Sequence, residues 1–418
     1  MSSSHHKSKT VWILNQYINT PEFPGGTRHY DLARELVKKG YRVHLFGGAF
    51  HYLLLKEIVL KDGENRKTVE LDGIVFHWLR VLPYKNNGIR RILSMVKFYF
   101  SLLNEVKLLK REATFNSPDV IIGSSVHLFT VLAAYRAAKM VNARFIMEVR
   151  DLWPYTLTAI GLLSRRHPLV LLFGWMERFL YRRAELIVTL LQDADQYIGQ
   201  YTDARKVIWL PNSFNKDNLF ANKQPQNFLP PNEKRKLTIL FAGSMNIADN
   251  LLLLLSAFQE MRKTNDGIRL VLLGDGMEKI NLSKYVLDHQ IPDVSMLPTV
   301  PKNKIIPYLL EADILWVGMP DTNLYKYGLS FNKIYDYMAA AKPIIISSPK
   351  QSNIIVDAEC GLRANAEDRT DLIEKIGEII ELGESARQQM GLNGYNYLMR
   401  NFTTDIITDK LIKEVIDK

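Results

Sequence analysis

The segment GLSFNKIYDYMAAAKPII, residues 328–345, combines a short amphipathic helix, a helix stop and an apolar strand. The apolar residues that recur at helical spacing are Ile334, Tyr337, Met338 and Ala341. Pro343 ends this pattern, and the apolar run after it is typical of a strand. Ser330, Asn332 and Lys333 therefore lie at a helix N-terminus, where unpaired backbone N–H groups and the helix dipole favour an anion.

Strands and helices alternate along most of the chain, which is typical of parallel sheets covered by helices on both faces. At 418 residues the chain is longer than one hydrophobic core usually supports. Residues 210–236, rich in Asn, Pro and Lys, lack periodicity and are typical of a linker. We therefore expect an α/β protein with two doubly wound domains and a cleft between them, where ligands bind beyond the carboxyl ends of the strands. The predicted strands are 11–16, 42–46, 74–78, 120–123, 145–149, 186–190, 207–210, 237–242, 270–273, 294–297, 314–317, 344–347 and 361–364.

The composition excludes several classes of protein. A single cysteine, Cys360, rules out an internal disulfide framework and a cysteine-based metal cluster, and it favours a reducing compartment. No apolar run reaches the roughly 20 residues that a membrane-spanning helix needs, and the polar N-terminus does not resemble a signal peptide. The formal net charge of +10 indicates an acidic partner, either anionic lipid or a phosphorylated substrate, because no motif for nucleic-acid binding is present. We expect a cytoplasmic protein.

Two segments, residues 85–112 and 163–183, combine basic and apolar residues at helical spacing. Helices of this kind bind anionic membranes when their apolar face is unpartnered, and they are ordinary surface helices when that face belongs to the core. The sequence leaves both interpretations open and slightly favours peripheral contact with the inner face of the membrane. The apolar positions of the first segment are Ile92, Met95, Val96, Tyr99, Leu103, Val106 and Leu109.

In the first half, two groups of polar or small residues follow predicted strands. Gly25 and Gly26 precede a predicted helix, so the backbone there can approach a phosphate or a sugar without a Cβ in the way. His29 lies in the first turn of that helix and is as consistent with a packing residue as with an acid or base. Arg150 and Asp151 either form a structural ion pair, or Asp151 positions or deprotonates a substrate hydroxyl.

In the second half, four small residues follow two consecutive predicted strands: Gly243, Ser244, Gly274 and Gly276. Each group alone is ordinary turn chemistry. With the helix start at Asn332 they outline a pocket for a nucleotide diphosphate, in which Lys333 neutralises the phosphates and Asp336 accepts ribose hydroxyls. An ATPase or an NAD enzyme is not expected, because the sequence has neither a GxxxxGK[ST] loop nor a GxGxxG motif after its first strand.

Six motifs in this order resemble retaining glycosyltransferases of family four, and the resemblance spans nearly the whole chain. The motifs are the Gly25-Gly26 loop, RDLWP at 150–154, LPNS at 210–213, FAG at 241–243, LGDG at 273–276 and SFNKIYDYMAAAKPII at 330–345. More narrowly, DLWP together with NKIYD is similar to transferases that build bacterial surface polysaccharide on a lipid-linked acceptor. Such enzymes often transfer N-acetylated amino sugars, for example N-acetylfucosamine.

The resemblance implies the GT-B fold, with two Rossmann-like domains that face each other across a cleft. The first, residues 1–212, would bind the acceptor, the second, 213–395, the nucleotide sugar, and a C-terminal helix, 396–418, would cross back. A UDP-sugar donor, retention of configuration and a product such as lipopolysaccharide are implied, and no metal or other cofactor is expected. The catalytic candidates are then Asp151, His29 and Lys333, and the nucleotide-sugar ligands are Gly25, Gly26, Gly243, Ser244, Gly274, Gly276, Ser330, Asn332 and Asp336.

The chain departs from this family at three points. Relatives commonly carry two glutamates with seven residues between them, and here the second position is Asp336 and the first is Gly328. Residues 243–246, GSMN, replace the Gly-Arg pair and the following Lys that hold the pyrophosphate in many members. Arg150 stands where many relatives place a histidine. Two other functions stay open, a nucleotide-sugar epimerase on the same fold and a non-catalytic basic adaptor on membranes.

Overall fold

The computed structural model describes residues 8–85, 88–219, 228–231, 236–349 and 353–418. The first half forms an eight-stranded sheet in the order β10-β9-β8-β7-β1-β2-β6-β5, and all neighbours are parallel except β5 and β6. A separate antiparallel pair, β3 and β4, lies beside it. The strands are β1 Thr10–Leu14, β2 Arg42–Gly48, β3 Phe50–His51, β4 Lys56–Glu57, β5 Arg66–Leu71, β6 Ile74–Leu79, β7 Val120–Ser124, β8 Arg144–Val149, β9 Leu186–Thr189 and β10 Val207–Trp209.

The second half forms a six-stranded sheet in the order β13-β12-β11-β14-β15-β16, in which all neighbours are parallel. Most of its residues in β11, β12, β14 and β15 are buried, because helices cover both faces of a parallel sheet. The strands are β11 Leu237–Ser244, β12 Ile268–Asp275, β13 Val294–Leu297, β14 Ile314–Gly318, β15 Ile344–Ser348 and β16 Gly361–Asn365.

Helices connect most of these strands and cover the sheets. On the first sheet, α1 and α14 pack on one face, whereas α2, α3 and α5 share a hydrophobic core with the other face. The helices are α1 Arg28–Lys38, α2 Ile89–Leu109, α3 Leu128–Val141, α4 Tyr155–Ala159, α5 Pro168–Arg183, α6 Asp195–Ile198, α7 Leu251–Met261, α8 Lys279–Asp288, α9 Ile305–Leu310, α10 Asn332–Ala339, α11 Ile354–Asp357, α12 Arg369–Glu381, α13 Gly383–Asn401 and α14 Thr404–Leu411, followed by a π-helical turn at Ile412–Ile416.

In each sheet the strand order reverses at the first strand. β1 lies between β2 and β7, and β11 lies between β12 and β14. The connections on the two sides of β1 and of β11 therefore run to opposite faces of the sheet and leave a crevice. Ligands of doubly wound sheets bind in the crevice outside the carboxyl end of such a strand. The Gly25-Gly26 loop follows β1, and Gly243 and Ser244 end β11, so the fold places both at these crevices.

All strands predicted from the sequence are present, with ends that differ by at most two residues. The sequence did not indicate β5, because this antiparallel edge strand is largely exposed and has no apolar alternation. The short pair β3 and β4 was also missed. The predicted helix at residues 331–341 is α10, and it ends earlier than expected.

Two stretches of chain cross between the domains and lie side by side. The backbone N–H of Phe214 donates to the Phe402 carbonyl at 2.9 Å, and the Thr404 N–H donates to the Phe214 carbonyl at 2.9 Å. The ring of Phe214 is 2% exposed. Beyond Thr403 the chain packs on the first domain, where Asp409 pairs with Lys39 at 2.7 Å. The helix that returns, α14, thus begins later than residue 396.

We predict that Phe214→Ala lowers the free energy of unfolding by about 3–5 kcal/mol, the usual cost of removing a buried phenyl ring. Urea unfolding followed by tryptophan fluorescence measures the change. Leu252→Ala is the control, because Leu252 is 45% exposed and its truncation should have little effect. Equal effects of the two substitutions would contradict the role given to Phe214.

Candidate active site

The glycine loop of the first domain touches the second domain. A Cβ on Gly26 would lie 2.7 Å from Nδ2 of Asn332, the first residue of α10. Gly25 has φ 116°, a conformation that favours glycine, and a Cβ there would lie 2.7 Å from the Tyr52 hydroxyl. The backbone of Gly26 and the side chain of Asn332 therefore close the cleft at this point.

The N-terminus of α10 carries no side-chain cap. Phe331 occupies the N-cap position in an extended conformation, and its side chain cannot accept a hydrogen bond from the helix. The first N–H groups of an α-helix have no partner within the helix, so those of Asn332 and Lys333 are available to an anion. The preceding turn is anchored to the linker, because the Asn212 side chain donates to the Ser330 carbonyl at 2.7 Å.

The ammonium of Lys333 lies among second-domain residues at the end of β11. It forms an ion pair with Asp249 and lies 4.4 Å from the centroid of the Phe241 ring. A Cβ on Gly243 would come within 3.2 Å of it. Lys333 is thus beside the small residues that follow β11, as predicted from sequence, but a buried carboxylate that the sequence did not indicate already balances its charge.

Asp336, one turn further along α10, is also paired. Lys302 donates to its Oδ1 at 2.6 Å, and both side chains are largely buried. The backbone N–H of Lys302 donates to the Phe23 carbonyl of the first domain at 3.3 Å. Asp336, which the sequence predicted to bind ribose hydroxyls, therefore also holds Lys302, and the backbone of Lys302 contacts the first domain at Phe23. Its role toward ribose stays a prediction.

Close packing between the ends of β11 and β12 requires small residues at these positions. A Cβ on Gly274 would overlap the Gly243 carbonyl, and one on Gly276 would overlap the backbone of Met245. The ends of the two strands can approach this closely only with glycine at both positions. Ser244 is half-buried at the same edge. Close backbone packing therefore explains both glycines, and their contact with phosphate stays a prediction.

His29 is buried and both of its ring nitrogens are engaged. Its Nε2 lies 2.7 Å from Oε2 of Glu148, and Asn15 Nδ2 lies 3.1 Å from its Nδ1. Burial lowers the pKa of His29, although Glu148 opposes this shift, so the neutral ring donates to Glu148 and accepts from Asn15. Both ring nitrogens are thus engaged by protein groups, which favours the packing role that the sequence left open. A catalytic role for His29 stays a prediction.

Arg28 completes this buried cluster and joins it to the linker. Its Nε donates to Glu148 at 3.0 Å, and its terminal nitrogens donate to the carbonyls of Leu210 and Pro211. Burial alone would raise the pKa of Glu148, but Arg28 and His29 hold it well below its ordinary value. The cluster thus fixes the start of α1, and with it the glycine loop, against the interdomain linker.

Arg150 and Asp151 follow β8 at the mouth of the cleft, and no ion pair within 4 Å joins them. Asp151 is exposed to the water of the cleft, although protein walls surround it. These walls raise its pKa, and the neighbouring Arg150 opposes the shift. The structural ion pair that the sequence left open is therefore absent, and a role for Asp151 toward a substrate hydroxyl stays a prediction.

A cluster of tyrosines closes the cleft beside the linker. Tyr327 of the second domain packs against Tyr155 and Tyr197 of the first, with ring centroids 5.3 and 5.5 Å apart. The Tyr155 hydroxyl donates to the Asn323 carbonyl at 2.6 Å, and the Asp193 N–H donates to the Tyr327 carbonyl at 3.1 Å. The two domains are therefore in contact on both sides of the uncapped helix start.

Sequence reasoning missed four residues that shape this site: Asn212, Asp249, Lys302 and Glu148. Asn212 lies within the LPNS motif, whose match to the family was noted without a physical role for its asparagine. Asp249 and Lys302 become partners of α10 only through the tertiary fold, at sequence separations of 84 and 34. No local pattern could have indicated them.

Both halves of the chain match models of glycosyltransferase domains. Residues 25–213 match the model described as "Glycosyl transferase 4-like domain", and residues 236–381 match "Glycosyl transferases group 1". A search among curated proteins found no match.

Solved structures share the fold over the whole chain. A sucrose-phosphate synthase from Thermosynechococcus elongatus superposes with a TM-score of 0.72 at 15% identity, covering 98% of both chains. Anabaena HepE in complex with UDP and glucose gives 0.65 at 12% identity, covering 98% of this chain and 100% of that one. An α,α-trehalose-phosphate synthase (UDP-forming) from Burkholderia vietnamiensis gives 0.71 at 11% identity, covering 97% and 96%. The fold is GT-B.

We predict that Glu148→Gln destabilises the protein at neutral pH by about 3–5 kcal/mol, because Arg28 loses its buried counter-ion. Since the folded state lowers the pKa of Glu148, its stabilisation is full above the unfolded value of about 4.5 and is lost as the pH falls further. Urea unfolding at a series of pH values should show the deficit shrinking below that pH.

The control for this prediction is Glu185→Gln. Glu185 pairs with Arg144 at 2.7 Å on the surface, so its loss should cost no more than about 1 kcal/mol. A deficit for Glu148→Gln that is equally small, or that does not change with pH, would contradict the structural role of the cluster.

Proposed function

We propose that this chain, a group 1 glycosyltransferase with the GT-B fold, transfers a sugar from a UDP-sugar to an acceptor glycan on a lipid carrier. The main evidence is the N-terminus of α10, which has no side-chain cap and contacts the glycine loop across the cleft. A donor diphosphate accepts hydrogen bonds from the free N–H groups of Asn332 and Lys333. Anabaena HepE and the trehalose-phosphate synthase, which share the fold, are described with UDP or as UDP-forming, and this supports the choice of nucleotide.

Lys333 supplies the nearest mobile positive charge. Lys333 is the second residue of α10, and its ammonium lies beside the end of β11. The side chain can therefore turn from Asp249 toward a phosphate bound at the start of α10. Asp249 then holds the lysine in place when the donor is absent. Protein groups neutralise the leaving diphosphate in this proposal, and no metal or other cofactor is required. Within the parts of the chain that the structure describes, no group of three His, Cys, Asp or Glu side chains could hold a metal ion.

The reaction retains the configuration of the donor sugar in this proposal. The departing phosphate oxygen takes the proton of the acceptor hydroxyl as that hydroxyl attacks the same face of the sugar. Asp151, exposed in the cleft at the end of β8, orients the acceptor hydroxyl. The contact of Gly26 with Asn332 and that of Tyr327 with Tyr155 and Tyr197 join the two domains and exclude water during transfer.

The acceptor domain carries an unpartnered apolar surface beside the cleft, which we name the apolar rim. Helices that follow parallel strands begin at the carboxyl edge of the sheet, so the first turns of α2 and α5 lie at the cleft side. Their exposed side chains are concentrated there. The apolar rim consists of Ile89, Leu93, Phe100, Ile160, Leu162, Leu171, Leu172 and Trp175, which are 48–76% exposed.

The apolar rim, together with its charges, supports peripheral contact with an anionic membrane. Arg90, Lys97, Arg165 and Arg166 are exposed beside these apolar residues. The predicted apolar face of α2 was partly wrong, because Ile92 is exposed. The polar residue Ser94 is instead buried, and its hydroxyl accepts a hydrogen bond from Gln16. Met95, Tyr99 and Val106 are buried as expected. None of the described helices is long and apolar enough to cross a bilayer. An acceptor on a lipid would then enter from the rim, as in surface polysaccharide synthesis at the inner face of the membrane, and an N-acetylated amino sugar is the donor sugar we favour.

The direct test of the proposed function is a panel of UDP-sugars incubated with the protein and lipid extract. UDP release that requires both one UDP-sugar and the lipid fraction supports a transferase. Release of sugar from UDP without any acceptor would instead favour an epimerase. Absence of thermal stabilisation by millimolar UDP would favour an adaptor without catalytic activity.

We predict that the double variant Lys333→Met with Asp249→Asn lowers kcat by about 10²–10³, the usual effect of losing one stabilising donor at a developing charge. The pair is removed together so that no buried charge is left alone. Lys375→Met with Glu378→Gln is the matched control, because this pair, at 2.5 Å, lies on α12 away from the cleft. Wild-type turnover by the first double variant would overturn the role of Lys333.

We predict that Leu172→Ser with Trp175→Ser abolishes co-sedimentation with vesicles of phosphatidylglycerol and phosphatidylethanolamine. The matched control is Ile280→Ser with Leu287→Ser on α8 of the second domain, where both residues are at least 76% exposed. Added salt should weaken wild-type binding, because part of it is electrostatic. Vesicle binding that is lost only in the α8 variant would place the membrane contact on the other domain.

A further inference from the structure

The cationic side chains around the cleft differ in whether a carboxylate pairs with them. Lys333 is paired with Asp249, Lys302 with Asp336, and Arg28 with Glu148. The guanidinium of Arg150 has no hydrogen bond or ion pair with any side chain or backbone group of the described ranges. It is half-buried at the carboxyl end of β8, so it is held in the cleft wall without a counter-ion.

Four neighbours locate this guanidinium. Its charge contributes to the lowered pKa values of His29 and Glu148, and it opposes the rise that burial causes in the pKa values of Asp151 and Tyr52. The Tyr52 hydroxyl touches Gly25, so Arg150 faces the glycine loop across the mouth of the cleft. Its backbone is fixed, because its N–H donates to the buried Ser125 hydroxyl at 3.3 Å.

The neighbouring carboxylates do not satisfy Arg150. Glu148 already pairs with Arg28 and His29, and Asp151 lies beyond ion-pair distance and is exposed. A structural arginine would be expected to use its five donors on protein groups, as Arg28 does. A half-buried guanidinium without a partner is instead suited to a planar or tetrahedral anion that it can bind through two nitrogens.

We propose that Arg150 forms an anion subsite on the acceptor side of the cleft, separate from the donor diphosphate at α10. This inference rests on the proposed function. The anion is either a phosphate of the lipid-linked acceptor or the carboxylate of an acidic donor sugar, and both offer the same paired oxygens. Two residues of the apolar rim, Ile160 and Leu162, lie in the same connection between β8 and α5 as Arg150, so in this proposal an acceptor lipid leaves the subsite toward the rim.

The test compares wild type with Arg150→Gln and Arg150→Lys by isothermal titration in saturating UDP, which keeps the probes out of the donor site. The probes are geranyl diphosphate with geraniol as its neutral counterpart, and glucuronate with glucose as its neutral counterpart. Wild type should prefer an anionic probe by about tenfold or more, Arg150→Gln should lose this preference, and Arg150→Lys should keep part of it. Arg111→Gln, an exposed cation at the far end of α2, is the control and should behave as wild type.

The anionic probe that the wild-type protein prefers identifies the chemical group that Arg150 binds. Preference for geranyl diphosphate indicates an acceptor phosphate, and preference for glucuronate indicates a sugar carboxylate. No anion preference in wild type, or the same preference in Arg150→Gln, would overturn the subsite. Weaker UDP binding by Arg150→Gln would also overturn it, by placing Arg150 at the donor diphosphate. Failure of wild type to bind UDP at all would reject the proposed function, and the probe titrations without UDP would still decide whether Arg150 binds anions.

Discussion

The start of α10 is the constraint on which the rest of the structure depends. A helix of eight residues presents unpaired N–H groups toward the other domain, and nothing in its own sequence caps them. Three features keep this end free and in place: the Asn212 side chain holds the preceding turn, Asp336 anchors the helix to Lys302, and Gly26 lets the first domain approach Asn332.

Charge balance in the cleft follows from burial. Lys333, Lys302 and Arg28 are largely desolvated, so each needs a carboxylate while no substrate is bound. Asp249 therefore balances the charge of Lys333 in the folded protein, and in the proposed mechanism it also competes with phosphate for Lys333. Arg150 is the exception among these four cations, because it is half-buried and no carboxylate of the described residues forms an ion pair with it. This difference is the basis for proposing that Arg150 binds an anionic ligand.

Much of the architecture could be predicted because it depends on local patterns. Apolar runs such as those of β1 and β14 and the stop at Pro343 give strands and helix ends directly. β5 escaped because an exposed edge strand needs no apolar side chains. In the site, the position of Gly26 was predictable from its place after β1, but its partner Asn332 was not. The contact of His29 with Glu148 could not be predicted, because a histidine near a helix start looks the same in sequence whether or not a carboxylate from a distant strand engages it.

The most direct test of the account is a crystal structure of the protein with bound UDP. The account predicts that a phosphate oxygen of UDP lies within hydrogen-bond distance of the backbone nitrogens of Asn332 and Lys333, and that the Lys333 ammonium has left Asp249 for the phosphate. A structure in which the diphosphate lies elsewhere, with Lys333 still paired to Asp249 and the start of α10 facing only water, would contradict it.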